Sequence, residues 1–308
     1  MPNLSDPRVS VVIPAYNAAA FIEETLDTVA AQTYRDLEIV VVDDGSTDET
    51  EKIVNAYLER SKQPGRCIRQ ANKKIAGARN TGVAAARGEL IALLDHDDAW
   101  FPNRLERGLE AFDAPPEVDL VCSDEKVTEK GRFLRVHRNG PLAENMYERL
   151  LFGGNALSPS AVIVRKSKIE EVGGFRENPE FNTVEDYDLW MRLSKVSRFR
   201  FIPEVLGEYH FEERGASRRI VYHHENLERL LLDHFRSHYG DHPTLPQRLR
   251  MRRRLAWGYR SALGLLMTYR EDPAAQRLFV GKMLAAFPFD PKNAAKALLW
   301  AIGSASAK

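Results

Sequence analysis

Three short runs of β-branched and aliphatic residues, each breaking off at proline or aspartate, narrow what this chain can fold into. Val9-Ser10-Val11-Val12-Ile13 stops at Pro14, and Leu37 to Val42 stops at Asp43-Asp44-Gly45-Ser46. Glu89 to Leu94 stops at Asp95-His96-Asp97-Asp98. Apolar runs with little alternation suit strands covered on both faces, as in a parallel sheet. Between them, Asn17 to Gln32 carries Phe21, Ile22, Leu26, Val29 and Ala30 at helical spacing. Ile53, Val54, Tyr57 and Leu58 mark a second helix, with Ser46 or Thr47 as its cap. Ile68 marks another strand, and Ala76 to Ala86 a helix rich in small residues. Strand and helix in this alternation predict a doubly wound α/β sheet, whose ligands bind beyond the carboxyl ends of the strands. Pro14-Ala15-Tyr16-Asn17, Asp43-Asp44 and Asp95–Asp98 all fall on that edge.

Beyond Asn103 the alternation loosens. Further strands are expected at Asp119–Ser123, Ser160–Val164 and Phe199–Ile202, and a helix from Val184 to Leu193. From Tyr222 the pattern is helical, with breaks at Gly240–Pro243, Asp272-Pro273 and Pro288–Pro291. With 308 residues, two regions are expected: an α/β domain over 1–220 and a helical region over 221–308. The net charge of zero conceals an asymmetry, because 221–308 holds 14 Lys and Arg against 7 Asp and Glu. Such a tail could meet an anionic membrane, nucleic acid or the acidic domain beside it, and a solvated face docked on its own domain is the simplest reading. The two cysteines, Cys67 and Cys122, have no paired spacing, which fits a reducing cytoplasm. No signal pattern opens the chain, and no apolar run nears the roughly 18 residues of a membrane span.

Asp95 and Asp97, two positions apart at a strand end, could share a divalent cation with phosphate oxygens. Asp98 could instead cap the next segment, and His96 reads as a bystander. Asp43-Asp44 could be turn chemistry or could meet a base edge or ribose hydroxyls. Neither G-x-G-x-x-G nor a P-loop is present, which argues against redox dinucleotides and ATP hydrolysis. Phosphates then fall to a metal and to basic side chains such as Arg79. Without a G-x-S-x-G elbow or an H-E-x-x-H helix, Glu185-Asp186 is the economical place for a general base, although acids are ordinary in a first helical turn.

VSVVIPAYNAAAFIEETLDTVAAQTYRDLEIVVVDDGSTDET, GARNTGVAAARGELIALLDHDDAW and EDYDLWMRL, in this order, closely resemble family 2 glycosyltransferases. The match covers roughly residues 8–212. The resemblance implies a GT-A fold, Rossmann-like with a mostly parallel sheet, here with an α-helical C-terminal extension. It implies inverting transfer from a nucleotide-diphosphate sugar, UDP-sugar favoured, with Mn²⁺ or Mg²⁺. Pro14, Ala15, Tyr16 and Asn17 resemble the segment that packs on the base, and Asp43 the residue that hydrogen-bonds it. Arg79 is similar to an arginine near the nucleotide. Asp95 and Asp97 match the Asp-x-Asp acids, Asp97 as the direct metal ligand. Asp186 matches the catalytic base, Glu185 precedes it, and Trp190 resembles a residue lining the acceptor side.

Two places depart from the family pattern. Lys74 stands where relatives often have glycine. Tyr209-His210-Phe211-Glu212 replaces Tyr-Arg-x-His, so His210 or Glu212 either reaches the metal or stabilises a loop. That segment also leaves open a non-catalytic nucleotide-sugar-binding module; a nucleotidyltransferase is the remaining alternative. The resemblance implies a glycan or lipid-linked acceptor in polysaccharide or cell-surface glycan assembly, and no nucleic acid. The basic tail suggests peripheral contact with the inner face of the membrane.

Overall fold

A computed structural model describes residues 6–211, 220–269 and 272–305. The chain divides into two compact units. The first comprises Met1–Leu150, Asn155–Asn178 and Glu185–Glu213, and the second Leu151–Gly154, Pro179–Val184 and Arg214–Lys308.

The first unit opens with β1 (Val9–Ala15), α1 (Ile22–Ala30), β2 (Leu37–Asp43), α2 (Thr50–Arg60), β3 (Gly65–Arg69), α3 (Lys74–Ala85) and β4 (Leu90–Leu93). β5 (Ala99–Trp100), α4 (Arg104–Asp113), β6 (Leu120–Glu129), β7 (Arg132–His137) and α5 (Met146–Gly153), whose residues from Leu151 on belong to the second unit, follow. Then come β8 (Val162–Arg165), α6 (Lys166–Glu171), α7 (Glu185–Leu193) and β9 (Phe199–His210). The sheet runs β3-β2-β1-β4-β8-β6-β9-β5, with β7 paired to β6. β1 through β4 are mutually parallel, β8 is antiparallel to β4 and β6, and β9 is parallel to β6. With β5 antiparallel to β9 and β7 antiparallel to β6, the sheet is mixed, its continuous parallel part being β1 to β4.

All seven residues of β1 and of β2 are buried, as their unalternating sequences predict. The polar exceptions have partners. Ser10 Oγ donates to Glu38 Oε1 at 2.7 Å, and Arg66 and Arg87 close on the other oxygen of Glu38. α3 rides close on β1: a methyl group on Gly82 would lie 2.4 Å from Val12 Cγ1. The small residues of this helix thus set how near it comes to the sheet.

Two local expectations fail. α2 starts at Thr50 rather than after Ser46 or Thr47, because the Ser46 hydroxyl is taken by the Asn17 backbone N–H at 2.9 Å. Asp98 caps no helix: its carboxylate accepts from the His210 N–H at 3.0 Å and the Ser160 hydroxyl at 2.5 Å, which ties the β4 loop to β9.

The second unit holds α8 (Ile220–Tyr239), α9 (Leu245–Thr268), α10 (Pro273–Ala286) and α11 (Pro291–Ala305). The breaks fall where proline and helix-starting polar residues predict them. The Thr244 N–H donates to Gln247 Oε1, and Asp272 Oδ1 accepts from the Ala274 and Ala275 N–H groups. Ile220, Tyr259, Leu263, Leu266, Phe279 and Met283 form its core. Among the described residues no helix is long and apolar enough to cross a membrane.

Two charged groups are enclosed beneath the sheet. Arg104 stacks 5.6 Å from the Trp100 ring centroid and donates to the Ala161 carbonyl. Burial lowers its pKa to about 10. Burial raises the Glu125 carboxyl from 4.5 to about 7, opposed by Ser158 and Arg104. The folded chain thus holds this proton more tightly than the unfolded chain. The stabilisation is complete below pH 4.5 and is lost as pH rises through 7, a swing of roughly 3 kcal/mol. Glu125→Gln should remove that swing. Urea unfolding in chelator at pH 5 and pH 8 should show the variant gaining on the wild type at pH 8; parallel pH dependences would contradict this account.

Candidate active site

The carboxyl ends of β1, β2 and β4 lie side by side and present loops from three distant parts of the sequence. At the β4 end the chain turns through Asp95–Asp98, held by the Asp95 N–H donating to Ser160 Oγ at 3.1 Å. From α3, the Arg79 guanidinium reaches Asp95 Oδ1 with Nη2 and Glu185 Oε1 with Nη1, each at 2.8 Å. One cation thus joins the acidic turn to the first residue of α7. Arg79 is only 1% exposed, its guanidinium 5.4 Å from the Phe175 ring centroid. The sequence reading gave Arg79 as an arginine near the nucleotide; the structure places its guanidinium between these two carboxylates.

Burial raises the Glu185 pKa to about 7, opposed by the Arg79 charge and reinforced by Asp186. Asp186 is only partly buried. Its pKa is also raised, mainly by burial, with Arg79 opposing. Asn155 Nδ2 donates to Asp186 Oδ2 at 3.3 Å, which orients that carboxylate. A basic, oriented and accessible carboxylate is suited to take a proton from a hydroxyl. Trp190, one turn further along α7, is fully buried, so it lines no acceptor surface. It lies on the inward stripe of the helix with Tyr187, Leu189 and Leu193.

At the carboxyl end of β1, Pro14 and Ala15 are buried strand residues, whereas Tyr16 is 47% exposed. Asn17 adopts φ 51° and braces the neighbouring turn, its Oδ1 accepting from the Thr47 N–H at 2.8 Å. Asp43 is at this edge but wholly enclosed. Its Oδ1 accepts from the Ser46 N–H at 3.0 Å, and its Oδ2 pairs with Arg69 Nη1 at 2.9 Å. The polar group open to solvent here is Arg69, whose side chain is 45% exposed. The sequence reading passed over Arg69; its place as the last residue of β3, beside Asp43 on β2, is the signal that could have found it.

His210 closes the opposite side. Its Nδ1 lies 2.7 Å from the Asp97 carbonyl oxygen, so that nitrogen carries the proton, and Nε2 lies 3.4 Å from Glu208 Oε1. Glu212 falls outside the described residues.

Asp95 and Asp97 supply oxygen ligands of the hard type that Mg²⁺ and Mn²⁺ prefer. Among the described residues no three acidic, histidine or cysteine side chains converge to hold a metal alone. Two protein carboxylates completed by substrate phosphates nevertheless meet the requirement of such an ion. The charge excess agrees: Asp98 is pushed well above its ordinary pKa by burial and then by Asp97 and Asp95. These residues fit a divalent cation. A cavity of about 840 Å³ in the same unit, bordered by Gly140, Leu142 and Phe199, includes none of them, so the chemistry rather than the hollow marks the site.

The family model described as glycosyl transferase family 2 matches residues 10–173. The amylovoran biosynthesis glycosyltransferase AmsB of Erwinia amylovora is 30% identical over 70% of this chain and 73% of its own length. An uncharacterized glycosyltransferase of Rickettsia felis is 30% identical over 72% of this chain. The chain spans 37% of that protein and 64% of its Rickettsia prowazekii counterpart. Staphylococcus aureus TarS 1-349 in complex with UDP-GlcNAc superposes with a TM-score of 0.65 at 20% identity, over 91% of this chain and 80% of that one. The mannosyltransferase PcManGT of Pyrobaculum calidifontis, in complex with GDP-Man and Mn²⁺, gives 0.59 at 22% identity, over 97% and 85%. At these identities the two structures speak for the fold, which is the GT-A arrangement. With the family model matched over more than half its length, the chain belongs to glycosyl transferase family 2.

Proposed function

We propose that this chain transfers a sugar from a nucleotide-diphosphate donor, UDP-sugar favoured, to an acceptor hydroxyl with inversion at the anomeric carbon. The observation that carries the reading is the Arg79 bridge, which fixes Asp95 and Glu185 on one guanidinium and so sets Asp186 beside the acidic turn. Tyr16 offers its exposed ring to the base. Asp43 acts through Arg69, holding that guanidinium at the base edge. Asp95 and Asp97 would hold Mn²⁺ or Mg²⁺ against the diphosphate. When bound, such an ion offsets charge on the departing diphosphate, a contribution of several kcal/mol. His210, anchored to the Asp97 carbonyl, keeps the acidic turn in place.

Asp186 accepts the proton of the acceptor hydroxyl as its oxygen attacks the anomeric carbon opposite the leaving diphosphate. A single displacement converts an α-linked donor into a β-linked product. Support for a nucleotide sugar comes from TarS with UDP-GlcNAc and PcManGT with GDP-Man. The acceptor in this reading is a glycan or lipid-linked glycan in polysaccharide assembly, and the likeness to AmsB, named for amylovoran biosynthesis, supports a biosynthetic role. The excess of basic residues in 221–308 supports work at the inner face of an anionic membrane, and no helix among the described residues is long and apolar enough to span one.

Asp186→Asn should lower transfer by about 10²- to 10⁴-fold while UDP affinity stays within twofold, measured by product release and calorimetry; near-normal turnover would remove Asp186 as the base. Asp97→Ala should weaken UDP binding at least about tenfold in Mn²⁺ and leave binding in chelator unchanged, about 1.4 kcal/mol of metal-dependent affinity. Equal metal dependence in the two proteins would exclude Asp97 as a ligand. In flotation assays the full chain should rise with phosphatidylglycerol vesicles at low salt and stay behind with phosphatidylcholine; equal partitioning would sink the membrane proposal.

A further inference from the structure

The second unit carries a cavity of about 450 Å³ lined by none of the candidate active-site residues. Along α9, Arg250, Arg253, Arg254, Trp257 and Arg260 recur at intervals that place them on one stripe. That stripe forms one wall, and Phe152, Asp290 and Lys292 complete the lining. Five cations thus face a single carboxylate. Asp290 is already engaged, its Oδ2 accepting from Arg260 Nη1 at 3.2 Å and its Oδ1 from the Lys292 N–H at 2.9 Å. Its one negative charge leaves a large local excess of positive charge.

Aromatic rings hold the guanidiniums in place. Arg250 lies 3.6 Å from the Phe152 ring centroid and Arg254 4.7 Å from that of Trp257. Arg254 is further fixed by donating from Nε to the Leu151 carbonyl at 3.1 Å. Trp257 is nonetheless 40% exposed, an unusual amount of open indole beside so much charge. The close approach of its ring requires Gly154, which has φ +87° and whose added Cβ would lie 2.9 Å from Trp257 Cη2.

We infer that this cavity binds a phosphate monoester or diphosphate group. An anion carrying two or more charges in a small volume matches five cations better than a carboxylate does, and guanidinium forks fit phosphate oxygens. The volume exceeds that of bare phosphate and leaves room for an attached organic group against Trp257. The same chemistry is offered by a soluble phosphate ester and by a lipid headgroup. The inference stands independently of the transferase reading, because none of these residues belongs to the candidate active site.

The test uses the full chain in chelator, titrated with inorganic pyrophosphate and with glycerol 3-phosphate while tryptophan fluorescence is followed. Trp257→Phe removes the local reporter, and its trace isolates the signal of this cavity from the other tryptophans. The double variant Arg253→Ser, Lys292→Ser changes two exposed side chains, and its circular-dichroism melting curve should match the wild type. The expected result is a saturable Trp257 signal in the wild type and at least about tenfold weaker binding in the double variant, near 1.4 kcal/mol. Phosphatidylcholine vesicles containing phosphatidic acid that displace pyrophosphate, where plain ones do not, would assign the site to a lipid headgroup. Displacement by glycerol 3-phosphate alone would assign it to a soluble ester. Equal affinities in wild type and double variant, or a signal that never saturates, would overturn the inference and leave these cations as a solvated face.

Discussion

The first unit depends on one buried cation. Arg79 is held between Asp95 and Glu185, and its charge opposes the rise that burial gives the Glu185 pKa. A guanidinium cannot release its proton under ordinary conditions, so the bridge keeps its charge wherever the chain is folded. Such a pair is not in itself a strong source of stability, since desolvation offsets much of the attraction. Removing one partner is another matter, because the remaining charges stay enclosed and uncompensated. The bridge matters more for what it aligns: a turn after the fourth strand and the beginning of a helix roughly a hundred residues later. The spacing between the acidic turn and the first turn of α7 is set by this contact.

The parallel half of the sheet was legible because its strands are buried on both faces and therefore have few polar residues to confuse the pattern. Its loops were legible for the opposite reason, as aspartates crowd where the apolar runs stop. The bridge made by Arg79 was not legible, because Glu185 lies 106 positions away. Asp43 was likewise placed on the correct edge, while its enclosure by Ser46 and Arg69 depends on a neighbouring strand that one weak apolar residue, Ile68, barely announces. Trp190 misled because helical periodicity gives the stripe a residue occupies without saying which stripe faces inward. β5, with two residues, and β7, whose six are exposed or only partly buried, lack any pattern long enough to read.

The helical unit reverses this balance. The starts of α10 and α11 could be read from proline and from aspartates that satisfy the first N–H groups of those helices. What the cations of α9 do could not be read, since a run of arginines looks the same whether it lies in water or borders a cavity. The packing of Phe152 beside Arg250 and of Gly154 against Trp257 supplies that distinction.

The ends of the sheet have a consequence of their own. β3 closes one end with five residues, three of them Arg66, Arg69 and the partly buried Cys67, while β5 closes the other with two. β7, branching from β6, carries Arg132 and Arg135 among its six residues. Brief borders studded with guanidinium groups are poor templates for another polypeptide to join by backbone pairing. At β3 and β5 shortness, and at β3 charge as well, work against edge-to-edge pairing of the sheet, whereas β7 sets Phe133 and Leu134 beside its arginines.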